Sequence, residues 1–281
     1  MILITGATGR IGQRVVSELV AAGQPVRAMS RTPEKATLPS SVEIVAGDFT
    51  APESIDVALG GVDTVFLLWT AAPTTAPDVI TRMASRAKRI VLMTSPHQTP
   101  HPFFQQPNPM AKMHAELERL VATSGAAPTF IRPGMFASNV IHWWGPAIRS
   151  GAPVRWPYAG AETAPIDERD IARAIAHVLT DDRHAGADYV LTGPEAVSHR
   201  DQVRIIGDAL GRVIPFEELT PDEFRQSTAG VWPPMLVEML LTAWAATMGV
   251  PAYVSHAVGE ITGTPARTFR QWADDHVAAF R

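Results

Sequence analysis

Met1-Ile-Leu-Ile-Thr-Gly-Ala-Thr-Gly-Arg-Ile-Gly12 opens the chain and decides its fold. The apolar run Ile2 to Thr5 reads as a buried strand, and Gly6, Gly9 and Gly12 follow it at three-residue spacing. An amphipathic stretch comes next, with Val15, Val16, Leu19 and Val20 on one face. Gly6 permits the sharp turn, Gly9 lets backbone N–H groups approach phosphate oxygens, and Gly12 lets the helix pack on the strand. The positive end of that helix then faces an anion. Thr8, Arg10 and Ile11 lie between the glycines and join the expected cofactor contacts, Arg10 as a second phosphate ligand. A glycine trio alone is a weak signal; the strand before it and the helix after it supply the context for a dinucleotide site.

Outward from this motif, short apolar runs alternate with helical patterns. Strands are expected at Ile2–Thr5, Val26–Ser30, Val42–Ala46, Thr64–Trp69, Ile90–Thr94 and Thr129–Arg132. Helices are expected near Gly12–Ala22, Glu53–Leu59, Asp78–Ala87 and Met110–Thr123. Strands rich in Val, Ile and Leu with crossover helices make a parallel sheet covered on both faces, a doubly wound α/β Rossmann domain over residues 1–134. Residues 135–160 hold Trp143, Trp144, Trp156 and several prolines, and read as an irregular aromatic excursion on the substrate side. Residues 161–197 return to the sheet, through a helix for which Asp170 is the expected N-cap and a strand at Tyr189–Thr192. Residues 198–281 form a small, mainly helical lid domain.

The chain has 281 residues, 46 % hydrophobic and 19 % charged, and can bury a full core. Net charge of −4 argues against a nucleic-acid or acidic-membrane partner, and the basic run Arg82 to Arg89 reads as the solvated face of a helix. Cysteine is absent, which excludes disulfides and thiolate chemistry and fits a reducing compartment. The apolar stretch Met235 to Val250 is too short to span a bilayer. A cytoplasmic protein is expected. His97 and His101 are four apart, but the prolines between them preclude a helix and no carboxylate accompanies them, so no metal site is expected.

NAD-selective enzymes place an acid at the end of the second strand to accept ribose hydroxyls. Here Ala28-Met-Ser-Arg31 occupies that place, with Lys35 close behind. A guanidinium grips a 2′-phosphate that a carboxylate would repel, so Ser30, Arg31 and Lys35 favour NADPH over NADH.

These motifs resemble the NmrA-like branch of the atypical short-chain dehydrogenase/reductases. The resemblance runs through Ile4-Thr-Gly-Ala-Thr-Gly-Arg-Ile-Gly12, Ala46-Gly-Asp-Phe49, His114 to Gly125, and Phe130-Ile-Arg-Pro-Gly-Met-Phe136. It continues through Pro165-Ile-Asp-Glu-Arg-Asp-Ile-Ala172 and Tyr189-Val-Leu-Thr-Gly-Pro194. It implies that Asp48 accepts a hydrogen bond from adenine with Phe49 beside the ring. It also implies that Leu68, Trp69 and Thr70 run past the ribose and nicotinamide, and that Thr94 and Pro133 border the nicotinamide.

Typical superfamily members use a Ser, a Tyr and a Lys four residues after the Tyr. Counting back from Ser124-Gly125, the Lys position falls on His114 and the Tyr position on Met110, and none of the three tyrosines lies on this helix. Hydride addition to a ketone makes an alkoxide with a pKa comparable to water, about 15.7, and demands a strong general acid. Reduction of a quinone makes a phenolate-like anion of pKa about 10, which needs far less help. Losing the tyrosine therefore disfavours ketones and tolerates quinones. His114 becomes the expected catalytic or nicotinamide-orienting group, with Ser95 near the family's serine position. His97, Phe136, Asn139, Trp143 and Trp144 are the expected substrate walls, suited to a flat apolar molecule.

The leading expectation is an NADPH-dependent oxidoreductase acting on a small quinone or a comparable flat aromatic or enone acceptor. A non-catalytic NADP(H) redox sensor, and a tailoring enzyme that reduces, dehydrates or isomerises a polycyclic natural product, are the alternatives.

Overall fold

In the computed structural model, which describes residues 1–281, the opening run forms strand β1 (Ile2–Ile4) and the glycine turn leads into helix α1 (Arg10–Ala21). Then follow β2 (Val26–Ser30), β3 (Glu43–Ala46), β4 (Thr64–Leu68), α2 (Ala76–Ala84) and β5 (Arg89–Met93). Next come α3 (Pro109–Ala122), β6 (Ala127–Pro133), α4 (Asn139–Trp143), α5 (Gly145–Arg149), β7 (Val154–Pro157) and β8 (Glu162–Thr163). Helix α6 (Glu168–Thr180), β9 (Asp188–Leu191), β10 (Val197–Ser198), α7 (His199–Leu210) and β11 (Phe216–Leu219) continue the chain. Helices α8 (Pro221–Thr228), α9 (Pro234–Ala246), α10 (Ala257–Thr262) and α11 (Phe269–Asp275) complete it.

Seven strands make one parallel sheet in the order β3-β2-β1-β4-β5-β6-β9. The order reverses between β1 and β4, and such a switch point opens a crevice beyond the carboxyl ends of the strands. One sheet face packs on α1, α6 and α10 through residues such as Val15, Ile175 and Val258. The other packs on α2 and α3 through Val79, Met83 and Val121. A third core joins residues from Ala137 to Ala161 with residues from Val197 to Phe280, centred on Trp144, Trp156, Trp244 and Trp272. No helix is long and apolar enough to cross a membrane.

Four local expectations are corrected. Glu53–Leu59 is not an α-helix: a 3-10 turn over Pro52–Ile55 is followed by turns, because Pro52 and Gly60-Gly61 leave too few residues to nucleate one. Asp167, not Asp170, caps α6, accepting from the Arg169 N–H at 2.9 Å, while Asp170 sits in the first turn and accepts from the Arg267 N–H at 2.7 Å. The basic run is not one helix face, since α2 ends at Ala84 and Arg89 is buried on β5, donating to the Val178 carbonyl and to Asp182. The stretch 135–160 is regular for much of its length, holding α4, α5 and β7.

Candidate active site

Beyond β1, β2 and β4 lies a cavity of about 240 Å³. Of the residues expected to hold the cofactor, Gly6, Thr8, Gly9, Ser30, Arg31, Asp48, Phe49, Leu68 and Thr70 line it. The turn fits a dinucleotide. Gly6 has φ of +62°, which only glycine adopts freely, and a Cβ on Gly12 would lie 2.1 Å from the Gly6 carbonyl oxygen. No side chain caps α1, so its first N–H groups are left for a ligand. Arg31 has neither an ion pair nor a hydrogen bond of its own and faces the Asp48 carboxylate across the cavity. Asp48 accepts from the Thr50 N–H at 2.9 Å; this bond, with a smaller contribution from Arg31, holds its carboxyl below the usual range.

The remaining cofactor expectations fall outside this cavity. Ile11 and Gly12 are on the buried face of α1's first turn, and Lys35 ends a 3-10 turn away from the lining. Arg10 turns toward α4, donating to Ser138 Oγ at 2.5 Å and lying 3.2 Å from His142 Nε2. Glu168, 3.6 Å away, draws the guanidinium the same way, toward α4. Trp69 does not line the cavity but stacks on Phe49, which does, at 4.8 Å, and donates its indole N–H to the Ala71 carbonyl. Thr94 is buried, its hydroxyl spent on Glu118 at 2.6 Å.

A second cavity, about 490 Å³, opens between the sheet's carboxyl end and helices α4 and α9. Ser95, His97, Pro133, Phe136, Asn139 and Trp143 line it. Trp144 does not: it is 1 % exposed, turned into the tryptophan core edge-on to Trp156 at 5.7 Å. Consecutive residues on a helix point about 100° apart, so only one of the pair can face the cavity. The rest of the wall was not expected. Phe103, Phe104, Met110 and Met135 contribute, and α9 lays Leu236, Met239, Leu240 and Ala243 along one side. No Lys, Arg, Asp or Glu lines this cavity.

Ser95 follows β5 and carries the cavity's best-placed hydroxyl. His114 Nδ1 lies 2.8 Å from Ser95 Oγ. Burial, aided by the nearby His97, pushes the His114 imidazole down to about 4, so it is neutral near pH 7. Beneath the pair sits an ionic cluster that sequence reading missed. Glu118, 4 % exposed, accepts from Thr94 Oγ1 and from Arg132 Nε and Nη2 at 2.9 and 2.8 Å. Arg132 also donates to Asp188. Burial would lower the Arg132 pKa, but the bonds to Glu118 and Asp188 outweigh it and raise the value. His97 Nδ1 donates to the Ser95 carbonyl at 2.9 Å, and its Nε2 lies 3.7 Å from Glu118. The loop that bears Ser95 is thus fixed on both sides. The available signal was spacing: His114 and Glu118 are four apart and share a helix face.

The chain matches the family model described as NAD(P)H-binding over residues 6–182. It is 38 % identical to the (4-alkanoyl-5-oxo-2,5-dihydrofuran-3-yl)methyl phosphate reductase of Streptomyces griseus, covering 100 % of this chain and 99 % of that one. It is 31 % identical to the NAD(P)H azoreductase of Xenophilus azovorans, with coverage of 100 % and 99 %. The structure superposes on an NADPH-dependent quinone oxidoreductase of Escherichia coli, solved with NADPH, at a TM-score of 0.85 and 22 % identity, over 98 % of this chain and 99 % of that one. With a dinucleotide cradle at the switch point and a second cavity beside Ser95, the chain belongs to the NAD(P)H-binding family and is an oxidoreductase.

Proposed function

We propose that the protein transfers hydride from NADPH to a quinone or a similarly conjugated, electron-poor acceptor such as an enone. The observation that carries this reading is Ser95 on the wall of a largely apolar cavity, with His114 behind it at 2.8 Å from its Oγ and Met110 lining the place where the resemblance puts the family's tyrosine. Bound dihydronicotinamide supplies the hydride. The pair supplies polarity without a strong acid: His114 donates Nδ1–H to Ser95 Oγ, which frees the serine proton to point at the acceptor's carbonyl oxygen. An imidazole that titrates at about 4 does not release a proton near pH 7, so the anion formed must be stable enough to await one from water. Phenolates and enolates meet that requirement; simple alkoxides do not. Phe136 and Trp143 give the flat acceptor its aromatic walls, with Asn139 as a further hydrogen-bonding group. The Glu118–Arg132 cluster acts through Ser95 by holding its loop.

NADPH is the preferred cofactor in this reading. Ser30 ends β2 with no carboxylate at the strand end, and the unpaired Arg31 that follows both offers a guanidinium to a 2′-phosphate and offsets the Asp48 carboxylate it faces. The azo and dihydrofuranone reductases among the relatives support an electron-poor unsaturated acceptor. The test is NADPH oxidation with a panel of small quinones and enones set against simple aliphatic ketones. Turnover confined to the conjugated panel is expected. Equal turnover of the ketones, or tight cofactor binding with no turnover of any acceptor, overturns the proposal.

A further inference from the structure

Helix α9 is apolar on nearly every side, and its two faces have different reasons to be so. Val237, Leu241 and Trp244 enter the tryptophan core, which is what folding requires of the helix. Leu236, Met239, Leu240 and Ala243 line the 490 Å³ cavity, Leu240 and Met239 while also packing on the edge of that core. Their spacing of three, four and seven residues places them in one stripe, which at 1.5 Å per residue is a track about 10 Å long. Along it exposure falls from one end to the other: Leu236 is 36 % exposed, and Leu240 and Ala243 are 6 % and 5 %. Met110, 56 % exposed, also lines the cavity, so Met110 and Leu236 form its rim. An apolar rim continuous with an apolar track, and no charged side chain along either, is a path for hydrocarbon.

Volume points the same way. An apolar cavity of about 150 Å³ holds one benzene ring. The nicotinamide and a one-ring acceptor would leave room within 490 Å³ for roughly another ring's worth of substituent. The N-terminus of α3 borders this space, yet it offers no anion site, because Asn108 Oδ1 already accepts from the N–H groups of Met110 and Ala111 at 2.9 and 3.4 Å.

Resting on the reading of the protein as a hydride-transferring reductase, we infer that its acceptor carries an uncharged alkyl or acyl chain, seated along α9 and leaving the cavity between Met110 and Leu236. The chain does the work of binding; Ser95 and the cofactor do the chemistry.

The test is a series of 2-alkyl-1,4-benzoquinones from methyl to hexyl, read both as kcat/KM at saturating NADPH and as dissociation constants to NADP⁺-loaded protein by calorimetry. Each added methylene is expected to raise affinity about two- to fourfold, mostly in KM, until the chain passes the rim. A terminal carboxylate on the hexyl chain is expected to abolish that gain. Leu236→Gln and Met110→Gln, both at exposed positions, are expected to flatten the slope over the longest chains. A flat series, or a slope untouched by both variants, overturns the inference. Failure to reduce even the methyl quinone would instead defeat the functional reading, and the calorimetric slope would still decide the question of the chain.

Discussion

Replacement of Arg31 by alanine is the sharpest probe of the cofactor. Arg31 makes no hydrogen bond or ion pair within the fold, so the substitution breaks no native bond and removes only its weak attraction for Asp48. A guanidinium on a 2′-phosphate makes charge-assisted hydrogen bonds of about 1.5–3 kcal/mol each in protected sites. Arg31 is exposed, and screening reduces the pair to about 2 kcal/mol, or about 30-fold in Kd. Asp48 adds to the effect. Its carboxyl is held below the usual range by the Thr50 N–H and, to a lesser degree, by Arg31, so it stays ionised in the variant and repels the phosphate unopposed. NADH, with hydroxyls in that place, should bind within about twofold of its original affinity. Calorimetry with both cofactors at low and high salt checks this: the NADPH loss should shrink as salt rises. Equal weakening of NADPH and NADH, or no weakening of either, refutes the 2′-phosphate assignment.

Gly12→Ala forces a methyl to within 2.1 Å of the Gly6 carbonyl oxygen and should cost about 3 kcal/mol in chemical denaturation, with dinucleotide binding lost alongside; a stable variant that binds normally would contradict the close packing of α1 on the turn. Ser95→Ala and His114→Phe should each lower kcat for quinones about tenfold, and the double variant should be no worse than either single one, because the two residues act as one donor; multiplicative losses would separate their roles. His199 is fully buried against Trp244, and burial pushes its imidazole down to about 4, so the unfolded chain binds more protons between pH 6.5 and 4. Its contribution is therefore intact above pH 6.5 and falls away by about 3 kcal/mol as pH drops toward 4, and His199→Leu should flatten the acid limb of a Tm-against-pH curve; an unchanged limb would show that other groups set it.

What could be read in the sequence was what is local. The turn from β1 to α1 announces itself, because strand, glycines and helix are contiguous and each glycine has a steric reason. The sheet followed from the alternation of apolar runs, and the strand ends were misplaced by only a residue or two. Legibility failed where partners are distant in the chain. Arg89 looks like one more surface cation among Arg82, Arg86 and Lys88, yet strand pairing buries it against Val178 and Asp182. Glu118 and Arg132 are unremarkable until β6 lies beside α3 and β9 brings Asp188 to the same place. Trp143 and Trp144 were indistinguishable by type, and the end of α4 tells them apart: Trp144 is wholly in the core, whereas Trp143 stacks on Trp156 there and also lines the cavity. The wall made by α9 was hidden because an all-apolar helix reads as core, and nothing in its composition tells which face meets a ligand.

Met110 and His114 are best read together. A cation one helical turn after a phenol at position 110 would lower its pKa and make it a stronger acid, and His114 is a neutral imidazole on account of its burial. Without such a cation a tyrosine there would be an unassisted phenol of pKa about 10, no stronger an acid than the hydroquinone formed from a quinone, and its hydroxyl would sit at the rim of a largely apolar track. Methionine there gives up nothing that His114 could have used, and it adds a flexible hydrophobic surface at the mouth. On the proposed reading, the position that lacks the proton donor is the position that shapes the entrance, and the site favours acceptors that need little proton-donating power and offer much apolar contact.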